Sequence, residues 1–174
     1  MNRYLKNGIA FLRGFVLKLA WKASKTKSMG GKVRVFGSAD LDIEAQAKLS
    51  VGRGVKIRER AYINVRKGGN LEIGPMASVG MDCKIACHES VVIGEGTLLS
   101  PNVFIYDHDH VFSPETGVER KRFHTKPIVI GKNCWIGANT VILKGTVIGD
   151  NCVVGAGSVI HGHYADRTVV IQKR

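Results

Sequence analysis

The feature that most constrains this chain is a six-residue period in its aliphatic side chains. From Ile130, the residues Ile136, Ile142, Ile148, Val154 and Ile160 follow at equal intervals, with glycine next in line at Gly131, Gly137, Gly149 and Gly155. Three positions after each aliphatic residue stand Asn133, Asn139, Gly145, Asn151 and Gly157, and four after it stand Cys134, Thr140, Thr146, Cys152 and Ser158. A helix cannot use this pattern, because six is not a multiple of 3.6 and the stretch is rich in Gly and β-branched residues. A short strand and a tight turn every six residues can. Asn and Gly tolerate positive φ and mark the turn, while the aliphatic residue points inward and the small residue shares the interior near the corner. Three units close a triangular coil, and coils stack in parallel, so an all-β parallel β-helix is expected.

The same frame recurs upstream in Val51, Ile57 and Ile63, in Ile73, Val79 and Ile85, and in Ile93, Leu99 and Ile105. Gly96 and Asn102 fall in the turn slot. The pattern fades before about Val33, which divides the 174 residues into an arm over 1–30 and a β-helix over 31–174. The 21 glycines against only 4 prolines are turn residues of a solenoid, not a sign of disorder or collagen. Cys83, Cys134 and Cys152 occupy the small interior slot, so packing explains them. Cys83-x3-Cys87-His88 is a weak zinc signal with a poor spacing and no fourth ligand. No signal peptide is visible, so the four cysteines are expected as free thiols in a cytoplasmic protein.

Charge is concentrated in the arm. Nine Lys/Arg and no acid lie in residues 1–39, against a net charge of +12 for the whole chain. Residues 3–22 form an amphipathic helix, with Tyr4, Leu5, Ile9, Phe11, Leu12, Phe15, Val16, Leu19 and Ala20 on one face and Arg3, Lys6, Arg13 and Lys18 opposite. The charges are too closely spaced for a membrane span. Such a helix can lie peripherally on an anionic membrane, at the inner face for a cytoplasmic protein, or its apolar face can cap the open end of the β-helix or pack on a neighbouring subunit. Nucleic acid is not an expected partner, because no base-stacking module accompanies the charge.

The repeat breaks between Ile105 and Ile130, where an insertion over 106–127 holds three of the six histidines, His108, His110 and His124. Long insertions in a compact solenoid are commonly functional. A histidine here can act as a general base, since its ordinary pKa near 6.5 suits proton removal at neutral pH and such help is worth ~10²–10⁴-fold. Asp107 and Asp109 can orient an imidazole or bind an acceptor. His-Asp alternation also suits a solvated polar loop or a divalent-metal site, and the repeat alone also suits a non-catalytic solenoid.

The order aliphatic, Gly, two variable, small, variable resembles that of the hexapeptide-repeat acyltransferases, whose β-helix is left-handed. The segments Asn102–His110, Lys126–Gly131 and Trp135–Gly137 are similar to the sugar O-acetyltransferase branch, which includes maltose, galactoside and nodulation-factor acetyltransferases. The resemblance implies an acetyl-CoA-dependent O-acetyltransferase that acts on a sugar hydroxyl in bacterial surface-polysaccharide or cell-envelope glycan synthesis. It implies a homotrimer with sites between subunits and no required metal. It places the base at His110, with His108 the second choice, and makes Trp135 a wall of the cleft. It lays acetyl-CoA along Gly137-Ala138 and Gly155-Ala156. Lys173 is offered to the 3′-phosphate, because the usual closing stretch is missing after Ile160, and Asp82, Asn102 and Asp109 are offered to the acceptor. Asp82 enters because Gly80 stands near where the branch often has an acceptor-binding Asn. N-acetylation of an amino-sugar nucleotide is the alternative with the same fold and cofactor. A β-helix carbonic anhydrase is a further one, although the His108/His110 spacing does not match its zinc pattern.

Overall fold

The computed structural model describes residues 2–171, and its β-strands stack into three parallel faces of seven, seven and six strands. The first face starts at Lys27–Met29 and the second at Arg34–Val35, while the third runs from Asp40–Ile43 to Val159–Ile160. Every ladder between coils is parallel and in register, as in Leu49↔Leu71, Leu71↔Val91 and Val91↔Ile128. The solenoid thus begins upstream of residue 31, because Lys27–Met29 pairs with Leu49–Val51 although only Met29 of that strand is buried.

The period-six residues do point inward. Ile57, Ile63, Ile85, Ile105, Ile130, Ile136 and Ile142 are fully buried in one continuous core, and burial of such a side chain is worth ~1.5–3 kcal/mol. All four cysteines are buried free thiols. The buried hydroxyls are paired as well: Thr97 donates to the carbonyl of Gly131 at 2.7 Å and Ser158 to that of Gly155 at 2.7 Å.

The turn slot is left-handed at Asn102, Asn133, Asn139, Gly145, Asn151 and Gly157, with φ between +53° and +77°. In the earlier coils the same slot is filled by Lys32, Gln46, Arg60, Met76 and Asp82, also at positive φ. Each such residue costs ~1–2 kcal/mol. The geometry turns amides along the stack, so that Met76 donates to the carbonyl of Arg53, Asp82 to Glu59 and Asn102 to Met81. The inter-coil ladder therefore continues through the corners.

One helix, α1 (Arg3–Ala20), closes the open end, and the Asn2 side chain accepts from the Tyr4 amide at its N-terminus. It is not the broad apolar face that makes this cap. Ala10 and Gly14 are buried and Leu17 and Trp21 pack against the core, while Tyr4, Leu5, Ile9, Phe11, Leu12, Phe15, Val16 and Leu19 are all exposed. The narrow stripe wins because it lets backbones meet: a Cβ on Gly14 would stand 2.2 Å from the Val33 carbonyl oxygen. Arg13 then reaches down and donates to the carbonyls of Phe36, Gly37 and Ala39 at 2.7–2.9 Å. Those carbonyls lie at the end of the stack.

Candidate functional site

The insertion leaves the stack at the corner between the third and first faces. It forms an antiparallel hairpin of His108–Ser113 and Gly117–Thr125 with a register shift between His110 and Val111. His110 pairs with Phe123 while Val111 pairs with Glu119, so Arg120, Lys121 and Arg122 are extra residues in the bulge. Bulges re-aim side chains and are frequent beside functional sites.

At the root of the hairpin Asp107 is completely buried. Its carboxylate accepts from the amides of His88 at 2.9 Å, Glu89 at 2.7 Å and Ser90 at 3.0 Å, which lie in the corner of the coil below. The same carboxylate stands 3.2 Å from Nδ1 of His108. Asp107 therefore bonds its neighbouring coil and fixes one edge of an imidazole at once, leaving Nε2 as the ring nitrogen not engaged by Asp107.

His88 lies two residues past the Ala86–Tyr106 rung, as His108 does on the coil above. The two rings stack with centroids 3.6 Å apart. Phe123 sits edge-on to both, at 4.5 Å and 5.3 Å, and His110 lies 4.6 Å from Phe123 on its other strand. Burial, and then the neighbouring His108, hold the His88 pKa below its ordinary 6.5. Burial raises the thiols too, Cys83 to about 11 and Cys87 to about 12, with the Asp107 charge adding to the latter.

These rings line a cavity of about 670 Å³ that also takes in Tyr62, Asn64 and Ala86, with Arg66, Lys67, Arg120 and Lys121 as a basic rim and Glu44 beside them. Among the described residues no three His, Cys, Asp or Glu side chains are grouped to hold a metal ion.

Of the residues singled out from sequence, the cavity contains His108 and His110, and Asp107 lies behind them. Asp109 is ion-paired with Lys144 of a later coil. Asp82, Asn102, Gly137, Ala138, Gly155 and Ala156 follow second-face strands, on the corner where the chain turns to the third face. There Asp82 makes a two-pronged pair with Arg60, 2.7 Å on each oxygen, and Asn102 bonds Asn139 at 3.2 Å. Trp135 is half exposed on the second face and donates to Ser100 Oγ at 3.0 Å. Gly137 is buried where a Cβ would meet the Ala156 amide at 2.5 Å, so coil stacking itself requires a glycine there. Ala138, Gly155 and Ala156 share that corner, and Lys173 lies outside the described residues. One copy of the chain thus carries two separate sets, a histidine corner and a small-residue corner. Sequence reasoning missed His88 and Phe123. His88 had a signal in the frame, since it precedes His108 by one full coil.

The fold and this corner site define a hexapeptide-repeat β-helix with an inserted histidine hairpin. Residues 127–161 match the hexapeptide repeat of succinyl-transferase. Nodulation protein L of Rhizobium leguminosarum bv. viciae is 39% identical over 99 residues, covering 55% of this chain and 49% of that protein. The crystal structure of the hexapeptide-repeat containing acetyltransferase VCA0836 from Vibrio cholerae superposes with a TM-score of 0.63 at 26% identity, over 69% of this chain and 66% of that one. That of AntD, an N-acyltransferase from Bacillus cereus in complex with dTDP and 3-hydroxybutyryl-CoA, has the same fold, with a TM-score of 0.66 at 19% identity over 95% of this chain and 81% of that one. In repeat and fold the chain is thus similar to hexapeptide-repeat acyltransferases. It spans about half the length of nodulation protein L.

Proposed function

We propose that this protein is an acetyl-CoA-dependent O-acetyltransferase that acts on a sugar hydroxyl, with a surface or cell-envelope glycan as the acceptor class. The observation that carries the reading is the buried Asp107 carboxylate on Nδ1 of His108, beside a cavity wide enough for a sugar. In this reading Nε2 of His108 takes the hydroxyl proton as the oxygen attacks the thioester carbonyl. The tetrahedral intermediate collapses, the C–S bond breaks, and the CoA thiolate leaves and is protonated. Asp107 is a positioning residue, since it holds the tautomer and does not touch the reacting atoms. The basic rim of Arg66, Lys67, Arg120 and Lys121 favours an acceptor or cofactor that carries negative charge.

A second reading keeps His110 as the base. It is the exposed ring of the pair, it lies in the same cavity, and the resemblance to sugar O-acetyltransferases points to its position. In either reading the protein works as a homotrimer, in which the small-residue corner at Gly137-Ala138 and Gly155-Ala156 of one copy takes the pantetheine arm beside the histidine corner of the next; the separation of these two corners on a single chain supports this. N-acetylation of an amino-sugar nucleotide needs the same parts, and the fold shared with AntD is compatible with it.

The test is CoA release from acetyl-CoA across free sugars, sugar nucleotides and lipid-linked glycans, with His108→Ala, His110→Ala and the double variant. Acceptor-dependent release that falls at least ~10²-fold in one single variant supports the reading and names the base. Undiminished release in the double variant would overturn it.

A further inference from the structure

The face of α1 that sequence reasoning offered as a cap is the face left open. Tyr4, Leu5, Ile9, Phe11, Leu12, Phe15, Val16 and Leu19 are between 43% and 84% exposed. They form one continuous side of the helix, and Gly8 among them has open space beyond it. The opposite side is spent on the first coil through Ala10, Gly14, Leu17 and Trp21, so the apolar side points away from the solenoid. Lys18 borders this side, and Lys22 and Lys25 are exposed just after the helix. Beside the helix runs a cavity of about 810 Å³ lined by Tyr4, Lys6, Arg34, Lys56 and Arg58, with Glu59 as its one acid. Among the described residues no helix is long and apolar enough to cross a membrane.

We infer that this end of the β-helix docks on an anionic phospholipid surface, with the exposed side of α1 lying in the headgroup–acyl boundary. Charge selects this occupant over a second copy of the chain. A broad apolar side bordered by Lys18 and followed by the exposed Lys22 and Lys25, in a segment without a single acid up to residue 39, repels its own copy and attracts anionic headgroups. Lys6, Arg34 and Lys56 line the adjoining groove beside the Arg58–Glu59 ion pair, where a lipid phosphate answers the excess positive charge. Docked this way, the histidine corner stands three coils above Glu44, roughly 15 Å up at ~4.8 Å per coil.

Flotation of the full chain with vesicles tests this. Binding is expected to vesicles of phosphatidylcholine with phosphatidylglycerol, to be weak with phosphatidylcholine alone, and to fall with salt. Leu12→Asp with Phe15→Asp is expected to lower partitioning on the order of a hundred-fold while far-UV circular dichroism and the sedimenting species stay unchanged. A second variant, Lys6→Gln with Lys56→Gln, touches no core residue and is expected to lower it roughly twenty-five-fold, at about five-fold per basic side chain. Absence of flotation by the unaltered chain, flotation by the Asp variant equal to the parent, or dissociation of an oligomer by that variant would each overturn the inference, the last by showing a second copy on this face.

Discussion

Asp107 and His108 are joined by a 3.2 Å contact between carboxylate and Nδ1, and the same carboxylate closes the corner of the coil beneath through three backbone amides. One buried charge therefore serves the stack and the site together. Asp107→Ala leaves those amides without an acceptor and is expected to cost about 3 kcal/mol, which for a chain of this size lowers Tm by roughly 6–12 °C. Asp107→Asn keeps an acceptor and is expected to restore most of the stability but not kcat, with KM for acetyl-CoA little changed. Calorimetry and steady-state kinetics on the two variants check this. Equal kcat in Asp107→Asn and the parent would remove Asp107 from the site.

His88 makes stability depend on pH. Its folded pKa lies below its ordinary value, because burial and the neighbouring His108 oppose its charge. The unfolded chain then binds the proton more readily, so this contribution is present above about pH 6.5 and is lost as pH falls below it. Arg66 also opposes the charge, while Asp107 and Glu44 favour it, so the net direction reflects burial first. Urea unfolding at mildly acidic and mildly basic pH is expected to show a smaller acid loss in His88→Asn than in the parent. An identical loss in both would assign the dependence elsewhere.

The core thiols should be inert while the chain is folded. Cys83 and Cys87 are completely buried and their pKa values are pushed to about 11 and about 12, so little thiolate exists near neutrality. A disulfide reagent at mildly basic pH is expected to label none of the four cysteines in native protein and all four in denaturant. Rapid labelling of Cys83 in the native state would contradict its place in the core.

Gly14→Ala should loosen α1 even though alanine is the better helix former by ~1 kcal/mol. The added methyl meets the Val33 carbonyl oxygen at 2.2 Å, and backbone on both sides cannot yield. The docking of α1 is expected to weaken by about 1–3 kcal/mol, seen as faster amide exchange in α1 and easier proteolysis after Trp21. Gly8→Ala, which meets nothing within 4 Å, is the matched control: only the propensity gain remains, so exchange in α1 and proteolysis are expected to slow.

What the sequence by itself determined was the coil. The six-residue period names the inward residues, the buried small slot and the Asn and Gly turns, because each of these is set by a few neighbouring residues and repeats at every corner. The break after Ile105 marked where the histidines leave the stack for the same reason. The tertiary structure decided what depends on contact between coils. His88 meets His108 only because parallel register brings residues two past the Ala86–Tyr106 rung together. Asp107 looks like one more polar loop residue until the amides of His88, Glu89 and Ser90 arrive from below and make its burial favourable. Met76 and Arg60 hold left-handed turns that their own identities disfavour, since the Met76 amide bonds the Arg53 carbonyl and the Arg60 amide bonds Ser38 Oγ on the coil below, which offsets a local preference of ~1–2 kcal/mol. The helix shows the difference most plainly. Its hydrophobic pattern names one broad apolar side, but close backbone approach at Gly14 selected a narrow stripe opposite, which turned the broad side outward.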